Sequence, residues 1–187
     1  MSRPCSSDVS ALILAGGRAT RFGGVAKHEL VIGGQTILAR QTAVLAPRVA
    51  EIVIAAPRDI AGHRTVRDPI DGAGPLAGIA AGLAAVTTPW LVVVACDMPY
   101  LTGELIDRLL AARGETIDAV GVRVGGLPEP LVCVLHARAR AAIDRRLAAG
   151  RYKASGLYTD ENLAVHWIDD PDPRALRNIN APDDVRE

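Results

Sequence analysis

Ala11-Leu12-Ile13-Leu14-Ala15-Gly16-Gly17-Arg18-Ala19-Thr20-Arg21-Phe22-Gly23-Gly24-Val25-Ala26-Lys27 joins an apolar run to a turn crowded with four glycines, two arginines and a lysine. Ala11 to Leu14 is short and branched enough to be a buried strand rather than a helix. Glycines let the backbone take positive φ and come close to a ligand, while exposed N–H groups and fixed cations suit a polyphosphate. Glycine content alone fits equally a strand-to-helix turn with solvated charges. The spacing of Arg21 and Lys27 after the double glycine favours a nucleotide loop.

Outward from this loop, apolar strands alternate with helices. Thr36 to Ala46 has helical periodicity through Ile37, Leu38, Gln41, Val44 and Leu45. Glu51 to Ala56 is a second buried-type strand ended by Pro57, and Thr65 to Arg67 reads as a brief edge strand. Asp71-Gly72-Ala73-Gly74-Pro75-Leu76-Ala77-Gly78 is a second glycine-rich loop opening a small-residue helix from Leu76 to Val86. Trp90 to Ala95 is apolar at every position, as a central parallel strand should be. Thr102 caps a helix to about Ala112. Asp118 to Val124 and Leu131 to Leu135 read as strands around a Gly125-Gly126 turn. Ala137 to Ala149 reads as a helix with Arg138, Arg140, Asp144, Arg145 and Arg146 on its outer surface. A turn over 155–160 and a strand over 164–168 follow.

This alternation predicts an α/β fold, a three-layer αβα sandwich with a mainly parallel central sheet. Ligands of such sheets lie across the C-terminal strand ends. The loop after Leu14 and the Asp97 turn after Ala95 therefore become neighbours, although roughly 80 residues separate them in sequence. Asp97 either caps the next helix or holds a cation; facing a glycine loop with two cations, it favours Mg²⁺.

Composition narrows the function classes. With 187 residues, 21 Lys plus Arg and 21 Asp plus Glu, the net charge is zero, which leaves no overall footprint for nucleic acid or an anionic membrane. Aromatics make up 3%, too few for base-stacking platforms. The three cysteines, Cys5, Cys96 and Cys133, show no CxxC spacing and suggest neither a disulfide framework nor a zinc site. The four histidines lack metal-ligand spacing. The N-terminal residues lack a signal-peptide pattern and no run approaches a membrane span, so a soluble, cytoplasmic protein is expected.

Neither Gly-x-Gly-x-x-Gly nor Gly-x4-Gly-Lys-Ser/Thr is present, which removes the main warrant for a dinucleotide-binding dehydrogenase or a P-loop NTPase. Instead, Leu-Ala-Gly-Gly-x3-Arg-x-Gly-Gly-x2-Lys, Gly74-Pro75-Leu76-Ala77-Gly78, Cys96-Asp97-Met98-Pro99 and Asn178-x-Asn180-x-Pro182 occur in order. Together they resemble the molybdenum cofactor guanylyltransferases over nearly the whole chain. The resemblance implies a Rossmann-like nucleotide-diphospho-sugar transferase fold in a single domain, 1–187. It implies transfer of GMP from GTP to the terminal phosphate of molybdopterin, giving molybdopterin guanine dinucleotide and pyrophosphate.

Carried over position by position, Leu14, Ala15, Gly16 and Gly17 would hold the guanine and ribose end, Arg21 and Lys27 the triphosphate, Gly78 and Asp68 the nucleotide, and Asp97 the Mg²⁺. Asn178 and Asn180 match the family's pterin-side asparagines, and Arg151 and Lys153 lie where the family handles molybdopterin. A charged solvated loop explains those last two residues equally well. The implied partners are GTP, molybdopterin and, transiently, other cofactor-biosynthesis proteins and recipient molybdoenzymes.

Two positions depart from the pattern. Ala26 stands where the family usually has Asp before the lysine, leaving Glu29, Asp68 or Asp71 to substitute, and Ala55-Ala56-Pro57 replaces a segment that often holds asparagines. The alternatives are a cytidylyltransferase using CTP and, from another class, a non-catalytic binding protein with a degenerate site. The Leu-Ala-Gly-Gly motif and the second glycine loop argue for guanine over cytosine.

Overall fold

The computed structural model describes residues 6–16, 26–70, 72–169 and 171–179. Among them, strands β1 (Ser6–Leu14), β4 (Val49–Ala55), β5 (Arg64–Val66), β6 (Trp90–Ala95), β7 (Ala119–Val124), β8 (Leu127–His136) and β9 (Val165–Asp169) form one sheet in the order β5-β4-β1-β6-β8-β7-β9. β2 (Val31–Ile32) and β3 (Gln35–Thr36) form a separate hairpin. Every neighbouring pair in the large sheet is parallel except the two that β8 makes, with β6 and β7.

Two apolar layers sandwich this sheet, because its central strands alternate residues between two buried faces. Val92 and Val94 pack with Ile13, Leu38, Leu45, Leu105 and Leu109, the last four drawn from α1 (Ile37–Leu45) and α3 (Gly103–Ala111). Leu91 and Val93 pack on the other face with Leu12, Leu76, Ile79, Ile143 and Leu147, where α2 (Pro75–Ala85) and α4 (Arg140–Ala148) lie. The three-layer sandwich expected from the alternation is thus the observed architecture. No helix among the described residues is long and apolar enough to cross a membrane.

Helix α2 approaches the sheet closely because it carries glycine at two positions one turn apart. A Cβ on Gly82 would stand 2.6 Å from Leu12 Cδ2, and one on Gly78 would stand 2.9 Å from Leu14 Cδ2. Thr36 and Thr102 cap α1 and α3, accepting hydrogen bonds from the N–H groups of Ala39 and Leu105.

Three expectations need correction. β8 begins four residues earlier than Leu131, although Pro128 and Pro130 suggest a break there. Its register with β6 ends at Val94–Val132 and its register with β7 shifts between Gly121 and Val122, so Leu127 to Glu129 are paired only with β7, and Pro130 and Leu131 fall in the irregularity. Pro128 thus stands where the strand is paired on one side and Pro130 where the register shifts, the two settings in which a strand tolerates proline's missing donor. The segment after β8 opens with a 3-10 turn, Ala137–Ala139, before α4, and the turn over 155–160 contains a one-turn helix, α5 (Gly156–Thr159).

The third correction concerns Arg146, which is 2% exposed rather than on the outer surface. Its guanidinium donates to the carbonyls of Gly156 at 3.0 Å and Lys153 at 3.1 Å and to Asp160 at 2.9 Å. Glu161 lies 3.9 Å away and also takes Arg145 and Arg151, each at 3.1 Å. Helical periodicity alone does not separate a buried arginine with partners on a later loop from a solvated one. Arg146→Ala should lower unfolding free energy by about 3 kcal/mol, because it leaves buried carbonyls and Glu161 short of a partner. Urea denaturation of the two proteins measures this, and an unchanged midpoint would show that the loop holds without it.

Candidate active site

Strands β1, β4 and β6 stop level with one another, since Leu14 is in register with both Ala55 and Ala95. Beyond that line the chains remain tied: Ala15 N–H donates to Ala55 O at 2.8 Å, and Cys96 N–H donates to Leu14 O at 3.0 Å. The cleft opening there has a volume of about 590 Å³, and its lining includes Leu14, Gly16, Lys27, Asp68, Gly74, Gly78, Asp97 and Leu131. β8, running past the end of β6, carries Leu131 to one wall.

Each wall has a local cause. Gly74 has φ 68° and ψ −159°, a conformation reserved in practice for glycine, and it turns the chain into α2 with Pro75 in the first turn. No side chain caps that helix, and Gly74 and Pro75 line the cleft, so the positive end of the helix lies at its mouth, where an anion is favoured. The carboxylate of Asp68 lies between two glycines; a Cβ on Gly16 would stand 3.9 Å from one of its oxygens, and a Cβ on Gly78 3.1 Å from the other.

Lys27 begins a 3-10 turn, Lys27–Glu29, and its Nζ lies 3.0 Å from Asp97 Oδ2. Both side chains are mostly buried, at 17% and 22% exposure, so the pair is poorly screened. Ala26 occupies the N-cap of that turn and makes no side-chain hydrogen bond. Of the carboxylates weighed as substitutes for the family's aspartate, none is needed to explain this ion pair, because Asp97 itself faces the lysine.

The neighbouring groups are ionised unequally. Burial, reinforced by the negative charge of Asp97, pushes the Cys96 thiol up to about 12, which keeps it protonated and poorly nucleophilic. Burial also raises the carboxyl of Glu129, and Asp97 adds to that effect.

A second, shallower groove of about 720 Å³ runs between α2 and α4, but its floor is largely alanine. Its charged residues are engaged with other side chains, Arg140 with Asp144 at 3.5 Å and Arg67 with Asp59 at 3.4 Å. The cleft at the strand ends, by contrast, gathers Lys27, Asp68 and Asp97.

The MobA-like NTP transferase domain model matches residues 11–167. The chain belongs to that family. It is 35% identical to a molybdenum cofactor guanylyltransferase of Pseudomonas putida, covering 98% of this chain and 97% of the relative. It is 34% identical to one of Cupriavidus taiwanensis, over 96% and 95%. Its fold is similar to that of molybdopterin-guanine dinucleotide biosynthesis protein A from Archaeoglobus fulgidus, with a TM-score of 0.75, 24% identity and 94% of each chain covered. It is also similar to that of 2-C-methyl-D-erythritol 4-phosphate cytidylyltransferase from Thermus thermophilus, with a TM-score of 0.73, 22% identity and 95% of each chain covered.

Of the positions expected to carry function in this MobA-like NTP transferase, Leu14, Gly16, Lys27, Asp68, Gly78 and Asp97 converge on the cleft. Ala15 is buried beside it with its N–H spent on Ala55. Gly17, Arg21, Asp71 and Asn180 lie outside the described residues. Asn178 precedes Ile179, whose N–H donates to Asp97 O at 2.8 Å, and Asn178 Oδ1 is buried with no hydrogen bond among the described residues. Arg151 and Lys153 do not line the cleft; Arg151 pairs with Glu161, and the Lys153 carbonyl accepts from Arg146.

In sequence, Gln41 is indistinguishable by periodicity from the other positions of the α1 helical stripe. It is 1% exposed and donates to the carbonyls of Ala95 at 2.7 Å and Met98 at 3.1 Å. An amide on an otherwise apolar, core-facing stripe was the available signal. Gly78→Val should weaken nucleoside triphosphate binding at least about tenfold, a loss of about 1.4 kcal/mol, because its side chain would enter the space shared by Leu14, Asp68 and Ala55. Titration calorimetry checks this; unaltered affinity would move the nucleotide elsewhere.

Proposed function

We propose that the protein transfers GMP from GTP to the terminal phosphate of molybdopterin, releasing pyrophosphate, within one nucleotidyltransferase domain spanning residues 1–187. The observation that carries this reading is the Lys27–Asp97 pair at 3.0 Å, set across one cleft from the Gly74–Gly78 helix start. The names of the full-length relatives supply the acceptor.

A cleft lined by the carboxylates of Asp97 and Asp68 suits Mg²⁺ that arrives on a triphosphate, since that ion is held by one or two carboxylates plus phosphate oxygens. The donor set does not suit a free-standing site: no group of three or more His, Cys, Asp or Glu side chains able to hold a metal occurs among the described residues. Asp97 would hold the ion, and the bound Mg²⁺ would neutralise charge on the phosphate oxygens. Lys27 would place a point charge against the triphosphate, and Arg21 would add a bidentate contact. The nucleophile is already an anion, so the chain's task is positioning and neutralisation, and a protonated Cys96 is consistent with a direct displacement.

Asp68 supports guanine. Its two oxygens can accept from the adjacent N1–H and N2–H donors of guanine, whereas cytosine offers one donor beside an acceptor. Asn178 and Asn180 would hold the pterin side, with Arg151 and Lys153 as further anion contacts. The protein would act in the cytoplasm, without nucleic acid or membrane, and meet other cofactor-biosynthesis proteins and recipient molybdoenzymes transiently.

Purified protein with Mg²⁺, molybdopterin and GTP should release pyrophosphate and form the guanine dinucleotide, with little product from CTP. A preference for CTP would overturn the base assignment. No turnover with either nucleotide, alongside a GTP-dependent rise in melting temperature, would favour the non-catalytic binding protein. Asp97→Asn should reduce turnover by about 10²-fold or more while the protein still folds, since Asn has the same shape and its Oδ1 can still accept from Lys27. Lys27→Ala should raise KM for GTP and Asn180→Ala that for molybdopterin; the reverse pattern would interchange the two half-sites.

A further inference from the structure

Gln41 is buried on α1, whose packing on the sheet is already supplied by Leu38 and Leu45. Its Nε2 donates to Ala95 O and Met98 O, the carbonyls that bracket Cys96 and Asp97. Both partners are carbonyl oxygens, which only accept, so the amide can face them in one orientation alone. That orientation leaves Oε1 buried with no hydrogen bond among the described residues. An apolar residue would avoid this burial penalty, so the amide's value lies in the two carbonyls it holds.

Those carbonyls sit where the sheet no longer serves them. The β6–β8 register ends at Val94, one residue before Ala95, and Met98 lies in the turn. The rest of the turn is held from other sides: Cys96 N–H donates to Leu14 O at 3.0 Å, Ile179 N–H donates to Asp97 O at 2.8 Å, and Arg40 Nε donates to Pro99 O at 3.1 Å. Gln41 adds two further ties from one side chain and straddles Asp97.

We infer that Gln41 is a positioning residue for Asp97, holding both flanks of its turn so that the carboxylate faces the cleft beside Lys27 before nucleotide binds. The inference rests on the proposed role of Asp97 toward the nucleotide's divalent cation. Gln41→Met keeps volume and removes both donors. With GTP present, it should weaken Mn²⁺ binding, read by electron paramagnetic resonance titration, about tenfold, and lower kcat similarly while KM for GTP stays within about twofold. Leu38→Ala, on the same helix, should lower the melting temperature without moving Mn²⁺ affinity, which separates positioning from general support of α1.

Should Gln41→Met fail to fold, Gln41→Glu has the same shape but offers one donor when protonated and none when ionised, and it should also lose Mn²⁺ affinity in the same titration. Unchanged Mn²⁺ affinity in the folded Gln41 variant, with affinity lost in Asp97→Asn, would overturn the role of Gln41 and leave that of Asp97 standing. Unchanged affinity in both would overturn the metal role of Asp97 and this inference with it.

Discussion

The in-register alignment of β4, β1 and β6 is the constraint on which the remaining structure depends. Their central residues are buried on both faces, so neither side of this sheet can be given up to solvent, and the three strands end level at Ala55, Leu14 and Ala95. Three loops must therefore leave the sheet at one edge. Parallel strands put their C-termini together, and the cleft is the space between the departing loops. The antiparallel β8 adds to this by running past β6 and bringing Leu131 alongside.

Close packing then decides what the cleft can hold. Glycine at 78 and 82 lets α2 rest on Leu12 and Leu14, which draws the helix start and its positive end over the strand ends. Larger residues there would lift the helix, and with it one wall of the cleft. On the opposite face, Gln41 reaches from α1 through the apolar layer to the backbone around Asp97. A polar contact at that depth is unscreened, so it specifies geometry more strongly than a surface contact would.

Lys27 and Asp97 form a partly buried pair in the cleft, in which each charge neutralises the other. Away from it, Arg146 and Glu161 form a second partly shielded centre that holds the loop from Lys153 to Asp160 through backbone carbonyls as well as carboxylates. Arg151 is drawn into that network through Glu161.

Much of the fold was legible in local pattern. Trp90 to Ala95 could only be a buried central strand because all six residues are apolar, and the observed strand has those bounds. The ordering of glycine loops, apolar strands and Asp97 was enough to predict that the Lys27 and Asp97 segments meet, and the two side chains do pair. Local pattern misread β8, where proline's missing donor matters only if a neighbour strand exists on that flank. It misread Arg146, whose partners come from a loop later in the chain, and it passed over Gln41, whose amide has meaning only beside the carbonyls of a distant turn. Sequence by itself determined which segments would be buried and which loops carry charge, because periodicity and chemical type are properties of single segments. Tertiary structure alone decided which polar groups are satisfied and how Asp97 is held, because a hydrogen bond needs two groups at one distance and only the folded chain sets that distance.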